Sequence, residues 1–175
     1  PGSGKSTLGR KLAEEMSYPY LDKDDFLEAL FKKDGVGDRK WRRQLSVKAD
    51  QQFEQAAIEL NTVVLVSHWR PSGAKNTGTP TAWLKSHFNK VIEVFCDCTP
   101  KLAAARFLKR RRHVGHLDNE RSYGEILEWM ESLVGSYPIH LGPVITTSTM
   151  GHVSAAQEAS KIKSLLSQPS SSGRL

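Results

Sequence analysis

The chain has 175 residues, 38% of them hydrophobic, with 25 Lys and Arg against 19 Asp and Glu for a formal charge of +6. That length suits one domain with its own core, and the composition excludes a disordered or collagen-like chain. No apolar run approaches the roughly 20 residues of a membrane helix, no basic-then-apolar leader is read at the N-terminus, and two cysteines are too few for a disulfide framework, so a reducing, cytoplasmic setting is expected.

Gly2-Ser3-Gly4-Lys5-Ser6-Thr7 is followed by Leu8, Leu12 and Met16 at helical spacing, which predicts a glycine-rich turn entering a helix from Lys5 to about Ser17. Tyr18 to Leu21 reads as a short strand. The acidic run Asp22-Lys23-Asp24-Asp25 follows, with Asp24 or Asp25 placed to cap a helix containing Phe26, Leu27, Leu30 and Phe31. Residues 34–38 form a loop by composition, and Trp41 to Leu60 an amphipathic helix with Leu45, Ala49, Phe53, Ala56, Ala57 and Leu60 on its apolar face. Thr62 to Ser67 is continuously apolar and β-branched, the mark of a buried parallel strand. His68 to Pro80 is a loop, Ala82 to Phe88 a short helix, and Lys90 to Cys96 another buried strand. Thr99 caps a helix opened by Pro100. Ser122 to Val134 is a helix, Val144 to Thr147 the last strand, and Val153 to Leu166 the last helix. The Ser-rich tail 167–175 is expected to be disordered. Strands alternating with helices predict a three-layer α/β fold, a parallel sheet covered on both faces.

The glycine-rich turn carries the most specific chemistry. Such a turn points consecutive backbone N–H groups at phosphate oxygens, and the following helix adds its positive end. Lys5 then reaches the β- and γ-phosphates, Ser6 ligates Mg²⁺, and Thr7 meets a phosphate. In the pattern G-x-x-x-x-G-K-[ST] the final glycine is Gly4. The first would fall just upstream of Pro1, and so would the strand that feeds such a loop. The chain is therefore expected to be truncated at its N-terminus, with four of five strands in hand. The plain alternative is a Gly/Ser turn that happens to carry a lysine.

Charge supplies a second signal. Between Thr99 and Leu117 lie Lys101, Arg106, Lys109, Arg110, Arg111 and Arg112 with no acid among them, and removing these six leaves 19 basic and 19 acidic residues. A protein that coats nucleic acid spreads its basic residues over a face. A single concentrated cluster suits the handling of phosphates, and its alternative is a solvated helix face.

Pro1-Gly2-Ser3-Gly4-Lys5-Ser6-Thr7, Asp22-Lys23-Asp24-Asp25-Phe26 and the arginines near Arg106 together resemble P-loop NTPases of the small kinase type. These are the gluconate- and shikimate-kinase-like, zeta-toxin-like and polynucleotide-kinase-like AAA-family ATP-binding proteins. The resemblance covers the chain to about Leu166. It implies a kinase domain over 1–166 that moves the γ-phosphoryl group of ATP, with Mg²⁺, to a hydroxyl of a small metabolite, nucleoside or sugar-like acceptor. It implies a loop built from Gly2, Ser3, Gly4, Lys5, Ser6 and Thr7, with Lys5 also acting in catalysis. It places Asp24 as the group that orients and deprotonates the hydroxyl, with Asp22 as second choice and substrate contact. It implies a lid over about 106–121 in which Arg106 and Arg110, four apart on one helix face, stabilise the transferring group and Arg112 binds ATP.

Ser67-His68-Trp69-Arg70 lies at a strand's carboxyl end, where ligands bind. Trp69 would stack on an acceptor ring and Arg70 hold an anionic acceptor, the alternative being an ordinary loop with a packed tryptophan. Ser67 stands where many NTPases carry a Mg²⁺-organising Asp, which argues against a motor ATPase and leaves the metal to Ser6. Asn89-Lys90-Val91-Ile92 lacks the Asp of a guanine-reading motif. His113 and His116 are too few for structural zinc, and Cys96 and Cys98 read as reduced thiols. The competing functions are a polynucleotide 5′-hydroxyl kinase and a non-catalytic nucleotide-binding module; nucleic acid is not favoured as a partner, and a monomer or homodimer is expected.

Overall fold

The computed structural model describes residues 1–74 and 77–168. In chain order the elements are α1 (Lys5–Met16), β1 (Tyr20–Asp22), α2 (Lys23–Asp34), α3 (Arg39–Ile58), β2 (Val64–Val66), α4 (Ala82–His87), β3 (Glu93–Asp97), α5 (Pro100–Lys109), α6 (Tyr123–Ser132), β4 (Val144–Ser148) and α7 (Ala155–Ser167). Two short 3₁₀ turns, Val114–His116 and Asp118–Glu120, separate α5 from α6. Each predicted element is present within a few residues. Ser167 closes α7, and the rest of the expected tail, 169–175, lies outside the described residues. Among the described residues no helix is long and apolar enough to cross a membrane.

Local chemistry sets the helix ends. Thr99 Oγ1 accepts from the Leu102 amide with Pro100 in the first turn. Ser122 and Glu125 form a reciprocal capping box on α6. One expectation is corrected. Neither Asp24 nor Asp25 caps α2; Asp22 does, its Oδ1 accepting from the Asp24 amide at 3.1 Å. Asp22 has the extended backbone a cap requires, whereas Asp24 and Asp25 already lie in the first helical turn.

The strands form two parallel pairs. Tyr20, Leu21 and Asp22 of β1 register with Val64, Leu65 and Val66 of β2. Glu93 to Asp97 of β3 register with Val144 to Ser148 of β4. The pleat sends alternate side chains to opposite faces. Val64 and Val66 face α1, where a Cβ on Gly9 would come within 2.5 Å of Val66. Leu21 and Leu65 pack on the other face against Phe53 of α3 and Trp83 and Leu84 of α4. Cys96 and Ile145 join Leu8 and Leu12 of α1 and Ala159 and Ile162 of α7. Both faces are therefore covered, giving three layers.

β2 and β3 are not paired with one another. Between them runs an apolar slot of about 740 Å³. Consecutive residues of both strands, Val63 to Ser67 and Ile92 to Asp97, line it, although alternate residues point to opposite faces. It therefore follows the strand edges and not one face of the sheet. Pro1 and Ser3 also line it.

Candidate active site

The turn ahead of α1 needs glycine at two places. Gly2 and Gly4 have φ of 73° and 83°, and a Cβ on Gly2 would collide with the Ala103 carbonyl. Thr149, just past β4, fastens this turn. Its hydroxyl lies 2.8 Å from the Ser3 carbonyl oxygen and 3.0 Å from that of Asp97. Its amide donates to the Asp97 carbonyl at 2.8 Å, and its own carbonyl accepts from Arg106 Nη1 at 2.9 Å. A trans peptide points its C=O and N–H in opposite directions. Holding the Ser3 carbonyl therefore fixes where the Gly4 N–H points. Lys5 Nζ lies 3.5 Å from Ser3 Oγ, and burial lowers its pKa, with Arg110 adding to the effect. Ser6 and Thr7 are exposed in the first turn of α1.

Across a cleft of about 1150 Å³ stands the acidic run. Asp22 is buried, and besides capping α2 its Oδ2 accepts from the Tyr20 hydroxyl at 3.0 Å. Burial, with Asp22 close by, pushes Tyr20 up to about 12, so it stays a hydroxyl donor. These bonds make Asp22 a scaffold and not the free substrate contact expected. Asp24 differs. Its Oδ2 is held by Arg112 Nη2, and the carboxylate is half-exposed to the cleft. Burial opposes its ionisation, but Arg112, Lys23 and Arg110 outweigh that and hold its carboxyl below the ordinary range.

The segment after α5 brings the other cations. Arg112 Nη1 reaches Asp118 at 3.1 Å, so this guanidinium bridges Asp24 and Asp118. Arg110 lies 3.8 Å from Asp118. The expected pairing of Arg106 and Arg110 on one helix face is corrected. α5 ends at Lys109, and Arg110 has left helical geometry at ψ 139°. Arg106 is turned toward Thr149 and Cys98, and Arg111 is exposed. The segment lies against α2, with His113 stacked on Phe31 at 5.3 Å and Gly115 leaving no room for a Cβ beside the same ring. His116 Nε2 meets Glu28 at 3.0 Å, and burial, then Arg112, pulls this imidazole down to about 3. It is neutral at ordinary pH and donates to Glu28. Among the described residues no group of three His, Cys, Asp or Glu is placed to hold a metal ion, and both cysteines are free.

The loop after β2 departs from expectation. Trp69 packs among Phe53 and Trp83, with centroids at 5.8 and 6.5 Å, and lines the slot between the strand pairs instead of the cleft. Arg70 does line the cleft, but its Nε and Nη2 donate to the Gly78 carbonyl at 3.3 and 3.2 Å, which ties the loop to itself. Ser67, Thr79 and Asp50 form a buried polar chain, with contacts of 2.6 and 2.8 Å, ending near Lys23 at 3.6 Å.

The structure thus brings Gly2, Gly4, Lys5, Ser6, Thr7, Asp22, Asp24, Arg70, Arg106, Arg110 and Arg112 to the lining of one cleft, whereas Ser3 and Trp69 line the slot instead. Thr149 and Arg42 were not singled out from the sequence. Thr149 carries no local pattern. Arg42 reads as part of the polar face of a long helix, yet its Nε is buried without a partner among the described residues.

Comparison with known proteins follows this geometry. No curated protein matches the sequence. Among solved structures, one from Chloroflexus aurantiacus j-10-fl, described as a candidate kinase, is 24% identical, with a TM-score of 0.78 and coverage of 94% of this chain and 92% of that one. Shikimate kinase from Bacteroides thetaiotaomicron is 17% identical, with a TM-score of 0.59 over 95% and 94% of the two chains. Shikimate kinase from Acinetobacter baumannii in complex with shikimate is 20% identical, with a TM-score of 0.56 over 94% and 87%. At these identities the likeness is one of fold. The model of one family, described as an AAA domain, matches residues 1–124. That span takes in the glycine-rich turn, the acidic run and the arginines facing them, and the chain belongs to this AAA domain family, with the P-loop NTPase fold.

Proposed function

We propose that the protein is a kinase that transfers the γ-phosphoryl group of ATP to a hydroxyl of a small-molecule acceptor. The observation that carries this reading is Asp24: an ionised, half-exposed carboxylate, oriented by Arg112, in the same cleft as Lys5 and the phosphate-loop glycines. The solved neighbours described as kinases support the class.

The loop amides and Lys5 hold the triphosphate. Asp24 Oδ2 is taken by Arg112, so its other oxygen receives the acceptor hydroxyl. The acceptor oxygen bonds to the γ-phosphorus, the bond to the β,γ-bridging oxygen breaks, ADP leaves, and the hydroxyl proton passes to Asp24. A carboxyl held below its ordinary pKa is a weak base. That suits a loose transition state in which the proton departs late and alignment matters most. Arg110 faces the developing charge, and Arg106 acts through Thr149 on the loop. Mg²⁺ fits the donor at the head of α1: a hard cation takes oxygen ligands, and Ser6 carries an exposed hydroxyl in the first turn beside the loop. The Ser6 hydroxyl would hold it, and when bound it neutralises charge on the β- and γ-phosphates.

Incubation with γ-labelled ATP and pools of hydroxyl-bearing metabolites tests the reading. Transfer is expected with the wild type and is lost in Asp24→Asn, which still binds ATP. Slow hydrolysis alone, unchanged in Asp24→Asn, refutes it.

A further inference from the structure

Lys23 opens α2 immediately ahead of Asp24, and only 11% of its side chain is exposed. Its ammonium donates to Ser46 Oγ of α3 at 2.6 Å and stands 3.6 Å from Asp50 Oδ1, one turn further along the same helix. That Asp50 oxygen also accepts from the Thr79 hydroxyl at 2.8 Å. A threonine hydroxyl has one proton, and Thr79 gives it to Asp50. The 2.6 Å contact between Ser67 and Thr79 is therefore made with the Ser67 proton. The chain of hydroxyls runs one way, from Ser67 through Thr79 to the Asp50 charge. Thr79 is fixed by its backbone as well: its amide donates to the His68 carbonyl at 2.8 Å, and its carbonyl accepts from the Arg70 amide at 2.9 Å. One carboxylate of α3 thus serves both the loop after β2 and the residue beside Asp24.

Burial works against the Lys23 charge, and the two carboxylates that support it are Asp50 and Asp24. They are not equivalent. Asp50 is 17% exposed and meets Lys23 directly, whereas Asp24 is 44% exposed and holds Arg112 through Oδ2. The other Asp24 oxygen has no hydrogen bond among the described residues. A buried ammonium must have an anion, and the flexible four-carbon stem of lysine lets it turn to another. Without the Asp50 charge, Asp24 is the anion left to Lys23. We propose that Asp50 is a positioning residue for the transfer: together with Ser46 it holds Lys23 on α3, keeps that ammonium off Asp24, and so leaves one Asp24 oxygen for the acceptor hydroxyl. This inference rests on the kinase reading. Asp50 acts through Lys23 and not on the reacting atoms.

The test is Asp50→Asn, which keeps an oxygen for Thr79 and removes the charge that Lys23 faces. A crystal structure of this variant should show Lys23 Nζ within hydrogen-bond distance of Asp24. With the hydroxyl compound that takes label from γ-labelled ATP, KM for that compound should rise at least about tenfold, as the loss of a hydrogen bond to a charged group implies. ATP affinity, measured by calorimetric titration, should be unchanged. Adding Lys23→Met to Asp50→Asn removes the intruding cation and should restore most of the lost KM, a recovery that a merely structural defect would not show. If Asp50→Asn does not fold, Ser46→Ala, which loosens the other hold on Lys23, takes its place with a smaller rise in the same KM. Lys23 Nζ remaining on Ser46, an unchanged KM, or no recovery in the double variant overturns the inference. The kinase reading fails separately: label that reaches no hydroxyl compound refutes it, while the crystal structure still reports whether Asp50 keeps Lys23 from Asp24.

Discussion

Replacing Thr149 with Val removes one hydroxyl and keeps the side chain's shape, so its effects read the fastening of the phosphate loop directly. The residue is 6% exposed, and its hydroxyl serves the carbonyls of Ser3 and Asp97. Asp97 keeps a donor, because the Thr149 amide still reaches it at 2.8 Å. The Ser3 carbonyl alone is stranded, which sets the loss of stability at about 1–2 kcal/mol. The same peptide carries the Gly4 N–H, which becomes free to rotate away from the phosphates, and ATP affinity falls about tenfold. Urea unfolding and calorimetric titration with ATP·Mg²⁺ measure the two effects. Thr147→Val is the control: Thr147 is equally buried but donates to Glu158 at 3.0 Å, so it should lower stability and leave ATP affinity alone. Wild-type ATP affinity in Thr149→Val, or equal losses in both variants, would refute the reasoning.

Other perturbations separate the remaining parts of the cleft. Gly115→Ala places a methyl against the Phe31 ring, where a Cβ would stand 2.6 Å away, so the arginine-bearing segment lifts from α2 at about 1–3 kcal/mol; limited proteolysis should cut between Arg110 and Arg121 faster than in the wild type, and unchanged cutting argues against that packing. Arg112→Gln removes the cation nearest Asp24, so burial pushes that carboxyl up and the acid limb of the transfer rate moves toward neutral pH; an unmoved limb contradicts it. His116 is held neutral with a pKa of about 3, against roughly 6.5 when unfolded, so below pH 6.5 the unfolded chain binds the extra proton. Stability should then fall by up to about 1.4 kcal/mol per pH unit as the pH drops from 6.5 toward 4. Denaturant unfolding at pH 7 and pH 5 should show a clearly smaller drop in His116→Asn, and equal drops would dismiss the assignment.

The loop was legible because its chemistry is local: Gly-Lys-Ser-Thr followed by a helical apolar pattern needs no distant residue to interpret. Asp24 was legible by its place after a strand, and the arginine cluster by its unbalanced charge. What sequence reading assigned to Arg70 and Trp69 depended on where a loop folds, and the Gly78 carbonyl and the Phe53–Trp83 aromatic cluster claimed those side chains. Asp22 and Asp24 stand two residues apart with the same side chain, and only backbone geometry makes one a cap and leaves the other facing the cleft. Thr149 acts across 146 residues of chain on Ser3, a relation no periodicity encodes. Arg42 escaped notice because a polar residue on an amphipathic helix is ordinarily solvated, whereas here its Nε is buried.

Helix α1 packs against both strand pairs and so joins them as two leaves. One leaf presses on this helix at Gly9, and the other packs against Leu8 and Leu12. Amides inside each ladder are shielded from exchange with solvent deuterium, whereas among the described residues the N–H groups along the slot have no ladder partner. The loop stands where the leaves meet, held by Thr149 to the far end of β3. A triphosphate gripped there draws on both leaves at once. Its binding should slow deuterium uptake along β2 and β3, strands that are not themselves expected to touch a phosphate.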